Sequence, residues 1–151
     1  AYRAERLYQH LPNVAVALAE ARRVLAAGGR IVLIDQDWDV AVLDADDLEI
    51  SREIHRAFCN SLVQGTFGRR FRCLLLDAGF VEVQVQAETV TSANAEEYGF
   101  VVNLLDKAAR ASGVDAKRLD AWVLDQTRRV SSDRFFMVMT HFIASATQPK
   151  Y

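Results

Sequence analysis

Between Asn13 and Ala27 the apolar positions Val14, Ala17, Leu18, Ala21 and Leu25 recur at the spacing of one helix face, and Gly28-Gly29 stops the run. The stretch Arg30–Asp35 follows at once. Its Ile31-Val32-Leu33-Ile34 is apolar on both sides of an extended chain, as in a strand buried within a parallel sheet. A second helical pattern spans Asp44 to Leu62, with Ile50, Ile54, Ala57, Phe58 and Leu62 as its stripe. Asp44, Asp46 and Asp47 suit its positive N-terminal end. A third runs from Gly68 to Ala78, burying Phe71, Leu74, Leu75 and Ala78, and Gly79 caps it. From Val81 to Val90 the pattern changes to strict alternation. Val81, Val83, Val85, Ala87 and Thr89 face one way and Glu82, Gln84, Gln86 and Glu88 the other, which predicts a strand near a sheet edge with one wet face.

Two further helices are expected within 93–131. Asn94 with Glu97 resembles a cap pair, followed by Tyr98, Val101, Leu105 and Ala108 facing inward. Gly113 ends the first helix and Asp115 opens the second, which turns Leu119, Trp122, Val123 and Val130 inward. The chain closes with Arg134 to Ala146. Phe135, Met137, Met139 and Ile143 line one face, and Phe136, Val138, Phe142 and Ala144 the other. A strand apolar on both faces is central, so it is expected between the two earlier strands, beside Arg30–Asp35. A short fourth strand is expected in the first five residues. The fold class is α/β, with a mixed sheet, an antiparallel last strand and an inserted helical pair.

At 151 residues the chain fits one domain with one core. Its 18 basic and 20 acidic residues give a net charge of -2, which argues against a dedicated nucleic-acid binder. No apolar run reaches the length of a membrane span, and Ala1–His10 lacks a signal-peptide core, so no membrane partner and a cytoplasmic location are expected. Cys59 and Cys73 sit in separate apolar helical patterns without metal-ligand spacing, and both are read as buried thiols. The chain lacks an initiator Met and opens inside what reads as a strand end. It is therefore expected to be a fragment or a partly resolved protein.

The order of elements resembles the second half of the class I S-adenosylmethionine-dependent methyltransferases of the small-molecule type. Local matches are Ala4-Glu5-Arg6, His10-Leu11, Arg23-Val24-Leu25 before Gly28-Gly29, and the strand at Arg30–Asp35. Gly68-Arg69, Leu74-Leu75 and Ala78-Gly79-Phe80 match the family's passage from helix to edge strand. The resemblance covers nearly the whole chain. It implies a Rossmann-like fold, S-adenosylmethionine as cofactor of the complete protein, and a small-molecule acceptor. It also implies that the family's first strand, glycine-rich loop and ribose-binding acid precede residue 1, so these 151 residues alone are expected to be inactive.

Ligands of open α/β sheets bind beyond the carboxyl ends of the strands, which selects Ala4–His10 and Asp35–Asp39. The resemblance implies that Ala4, Glu5 and Arg6 pass the cofactor's methionine part. His10 is the candidate catalytic residue, since an imidazole can orient or deprotonate an acceptor hydroxyl; its structural alternative is to pack the start of the next helix. Asp35, Asp37 and Trp38 are candidate substrate-binding residues, the indole as an aromatic wall and the carboxylates for an amine or hydroxyl. Their alternative is a polar loop with aspartates capping turns. Tyr98 enters as a substrate lid by resemblance only. The DxDxD spacing at Asp35–Asp39 fails as a calcium loop because Val40 takes the glycine position and Asp46 the closing position, so no metal is expected. His55 and His141 are read as structural, and Trp122, Phe135, Phe136, Met137 and Met139 as core.

The function expected is methyl transfer to a small molecule. The alternative is a non-catalytic binding or assembly module derived from a truncated methyltransferase fold. An open strand edge at the front of the sheet would invite a homodimer or the missing N-terminal half to cover it.

Overall fold

The computed structural model describes residues 1–93 and 95–150, with side chains for all of these except 95–98. In chain order the elements are β1 (Tyr2–Glu5), α1 (Val14–Val24), β2 (Arg30–Gln36), β3 (Val42–Leu43), α2 (Leu48–Ser61), α3 (Phe71–Asp77), β4 (Val81–Ser92), α4 (Ala95–Ala111), α5 (Ala116–Ser131) and β5 (Met137–Thr147). Short 3-10 turns occupy Tyr8–His10, Trp38–Val40 and Gly68–Arg70. The chain divides into two compact units. The first comprises Ala1–Asp37, Val63–Glu88 and Thr140–Tyr151, and the second Trp38–Leu62 and Thr89–Met139.

In the first unit β1 runs parallel to β2, from Tyr2↔Ile31 to Glu5↔Ile34. The strand β2 pairs antiparallel with β5, from Arg30↔Thr147 to Gln36↔His141, and β4 pairs with β5 as well. The last strand therefore lies between β2 and β4, as its two apolar faces require. Asn13 caps α1 by accepting from the Val16 N–H at 3.1 Å. Helix α1 ends at Val24, with Leu25 already extended, and Gly28 turns the chain toward β2 at φ 73°, a conformation that costs a side-chain-bearing residue energy. The core joins Leu18 and Ala21 of α1, Ile31 and Leu33 of β2, Phe71 and Leu75 of α3, and Ala144 and Ala146 of β5. Tyr8 stacks on Phe67 at 5.9 Å, and Phe67 meets Phe71 edge-on at 4.9 Å. Gly68 is required by packing, because a Cβ there would stand 2.5 Å from the Phe142 ring.

The second unit packs α2 against α4 and α4 against α5. Its core holds Ile54 and Phe58 of α2, Leu105 and Ala109 of α4, Leu119 and Trp122 of α5, and Met137 and Met139 of β5. The strand β3, which the sequence pattern did not reveal, pairs Val42 and Leu43 with Val138 and Met137. Helix α2 begins at Leu48, not Asp44. Asp47 is its cap, accepting from the N–H groups of Glu49 and Ile50 at 3.1 Å each. Asp44 and Asp46 instead meet Arg129, which also pairs with Asp125. Asp115 caps α5 by accepting from Arg118 N–H at 2.8 Å. The expected Asn94–Glu97 cap pair lies outside the described residues.

Three burial expectations are corrected. Cys59 is buried, but Cys73 is exposed, because it falls off the Phe71–Leu75 stripe of α3. Phe136 is 44% exposed and not part of the core. The alternation of β4 does not bury one face: Val81 and Val85 are exposed and only Val83 is half-buried. Glu82, at φ 55°, interrupts the extended geometry near the start of this edge strand. Among the described residues no helix is long and apolar enough to cross a membrane.

Candidate functional site

The parallel register of β1 and β2 sets Glu5 beside Ile34, so β1 ends two residues before β2. Arg6 donates its backbone N–H to the Ile34 carbonyl at 2.9 Å and turns the chain at φ 51°. This turn leads into Tyr8–His10 and returns Gln9 over the end of β2. The Gln9 N–H donates to Asp35 Oδ2 at 3.1 Å, and its side-chain amide donates to Gln36 Oε1 at 3.2 Å. The Gln9 carbonyl accepts from the Gln64 N–H at 3.1 Å. The carboxyl ends of the strands are thus closed by a loop of backbone and amide contacts.

Asp35 is buried. Burial pushes its pKa up, while hydrogen bonds from Gln9 and Gln36 and the nearby His10 pull it back. Asp37 is also wholly buried, and Arg69 grips it with both ends of its guanidinium: Nη2 donates to Oδ1 at 2.8 Å and Nε to Oδ2. Glu5 is exposed on the same strand ends and pairs with Arg3 at 2.7 Å, not with Arg6. His141 stands opposite Gln36 in the sheet. Both its ring nitrogens are buried without a hydrogen-bond partner, and burial, with the Arg6 charge, lowers its pKa against the opposing pull of Glu5.

The first unit therefore brings together Glu5, Arg6, His10, Asp35 and Asp37, five of the residues picked from the sequence. Their environments differ. Glu5, Arg6 and His10 reach solvent, whereas the carboxylates of Asp35 and Asp37 are inside. Ala4 turns its methyl into the core. Trp38 belongs to the second unit, where it is 9% exposed and meets Phe58 edge-on at 4.7 Å. Its indole is thus part of a packed core, which its sequence context did not indicate. The side chain of Tyr98 lies outside what is described. Sequence reasoning missed the roles of Gln9, Gln36 and Arg69. Only Arg69 carried a signal, as part of the Gly68-Arg69 match, and its partner was not legible because the two are 32 positions apart. Among the described residues no group of three or more His, Cys, Asp or Glu is arranged to hold a metal ion.

The strand order and helix placement are those of the class I methyltransferase fold, α/β and Rossmann-like with a mixed sheet. The chain superposes on a Bacillus halodurans protein described provisionally as a methyltransferase, with TM-score 0.55 and 16% identity, over 97% of this chain and 68% of that one. It also superposes on the YcgJ protein of Bacillus subtilis, with TM-score 0.54 and 13% identity, over 99% of this chain and 63% of that one. A relative by sequence is an uncharacterized 37.1 kDa protein in transposon TN4556 of Streptomyces fradiae, 36% identical over 148 residues. That match takes in 95% of this chain, which spans 42% of the length of the relative. No family model matches the chain.

Proposed function

We propose that this chain is the acceptor-side part of an S-adenosylmethionine-dependent methyltransferase acting on a small molecule. The observation that carries the reading is the parallel register of β1 and β2, which sets Glu5, Arg6 and His10 next to Asp35 near the strand ends where such sheets bind ligands. The described residues fit one end of the cofactor: an exposed carboxylate at Glu5 suits an amino group, and Arg6 a carboxylate. They offer no glycine-rich turn for its nucleotide end, so the complete protein is the unit of activity in this reading.

The cofactor, when bound, supplies a methyl group on a sulfonium sulfur. The work left to the protein is alignment and exclusion of water. His10, exposed beside buried Asp35, is the group placed to orient an acceptor hydroxyl or amine and to receive its proton. Asp35 holds the Gln9 backbone and so fixes the turn that carries His10. Arg69 holds Asp37 and fixes the chain as it leaves β2.

The test is calorimetry with S-adenosylmethionine on the full-length protein, followed by transfer of labelled methyl to a panel of small amines and phenols. Glu5→Gln should weaken cofactor binding by about tenfold, the value of one charge-assisted hydrogen bond. His10→Ala should lower kcat about a hundredfold with cofactor affinity kept. Absence of cofactor binding by the folded full-length protein would sink the reading and leave a binding or assembly module.

A further inference from the structure

A separate cavity of about 460 Å³ lies wholly within the second unit, between the chain at Asp39–Leu43 and one face of α2. Its volume falls in the range of small-molecule sites. Helical spacing places Leu48, Arg52, His55 and Arg56 on that face, and all four line the cavity. Arg110, Arg118, Arg128 and Arg129 of this unit are each tied to one or more aspartates. Arg52 and Arg56 are exposed and make no ion pair among the described residues. The acidic residues of α2, Glu49 and Glu53, act on Arg118. Asp39 also lines the cavity, and its side chain is not free.

The walls have a second character. Val40, Val42 and Leu48 are 40%, 56% and 50% exposed and border the same space. Large aliphatic side chains left half in water beside two exposed guanidinium groups suit a ligand with an apolar body and an anionic head. His55 adds a polar group of defined sense. Its Nδ1 lies 2.9 Å from the Ser51 carbonyl, which can only accept, so Nδ1 carries the proton. Its Nε2 is buried without a hydrogen-bond partner among the described residues.

We infer that this cavity binds a small organic anion, its carboxylate or phosphate held between Arg52 and Arg56 and its apolar body lying against Val40, Val42 and Leu48. The inference stands on the second unit alone and does not depend on methyl transfer.

Phenylacetate, phenyl phosphate, uncharged phenylacetamide and inorganic phosphate serve as probes in calorimetry and proton–nitrogen NMR of the full-length protein. One or both organic anions should saturate and shift the His55 ring resonances. Phenylacetamide should bind at least about tenfold more weakly, and so should the best anion to the R52Q/R56Q double variant. Both arginines are exposed, so the variant keeps its fold, which the amide spectrum checks. The idea is overturned by equal binding of phenylacetamide and phenylacetate, by a variant that binds as the parent does, or by no saturation below about 10 mM, roughly a millimolar-affinity limit. Inorganic phosphate binding as tightly as phenyl phosphate would also overturn it, by leaving the apolar wall without a role.

Discussion

Asp35 shows how a single buried carboxyl can oppose folding at neutral pH. Its folded pKa is raised, chiefly by burial, so it binds its proton more tightly in the folded state than in the unfolded one. The associated stability is present below the unfolded carboxyl range and is lost as pH rises through the raised value. Asp35→Asn removes this titration, although its amide nitrogen can no longer accept backbone N–H bonds as the carboxylate oxygen does. The thermal midpoint of the variant relative to the parent should therefore improve as pH rises above the ordinary carboxyl range toward neutrality. A constant difference across that range would show that Asp35 does not ionise on this schedule. His55 works in the other direction. Burial lowers its pKa, so the unfolded chain holds the proton better and stability falls as pH drops below the ordinary histidine value. His55→Gln should flatten that acid limb in a pH series of urea midpoints.

The pairing of Arg69 with Asp37 is a different kind of residue effect. Asp37 is fully buried, so removing its partner strands a charge. Arg69→Met should cost about 2–3 kcal/mol, at or just below the range for breaking a buried pair because the arginine is partly exposed. Adding Asp37→Asn should recover part of this loss in a double-mutant cycle. Both residues were in view in the sequence, Asp37 as a substrate ligand and Arg69 within a family match. Their contact was not, since nothing in local spacing links positions separated by a helix and a turn.

Elements were far more legible than contacts. The Val14–Leu25 stripe, the Gly28-Gly29 stop and the doubly apolar β2 each repeat one physical signal several times, and each element appears within a few residues of expectation. The central place of β5 followed from apolar residues on both its faces. The strand β3 was hidden because two residues carry no period. Alternation in β4 misled about burial, because a pattern records which face could be covered, not whether anything covers it. The early start expected for α2 failed for an electrostatic reason. Asp44 and Asp46 serve Arg129 of α5, a half-enclosed guanidinium with three aspartate partners. Arg129→Ala should lower stability by about 1–3 kcal/mol, more than an isolated surface pair, and the loss should shrink in high salt. At another junction, Gly68→Ala forces a methyl onto the Phe142 ring and the Gln36 backbone. It should cost about 1–3 kcal/mol by urea unfolding, as overpacking does, with the helix α3 signal in circular dichroism kept.

At the scale of the whole molecule, the two units each have their own hydrophobic cluster and each holds one cysteine: Cys73 in the first, on the surface of α3, and Cys59 in the second, inside its core. Neither is in a disulfide. A thiol reagent added to the native protein meets these two sulfurs under different rules. Cys73 should be labelled at once, at the rate of an accessible thiol. Cys59 should wait until its surroundings open, so its labelling rate, read by mass spectrometry, reports how often the second unit breathes. Once Cys73 is replaced by serine, the remaining sulfur becomes a stopwatch for one half of the chain. Running that stopwatch in water and then with phenylacetate would show whether filling the space beside α2 slows the opening.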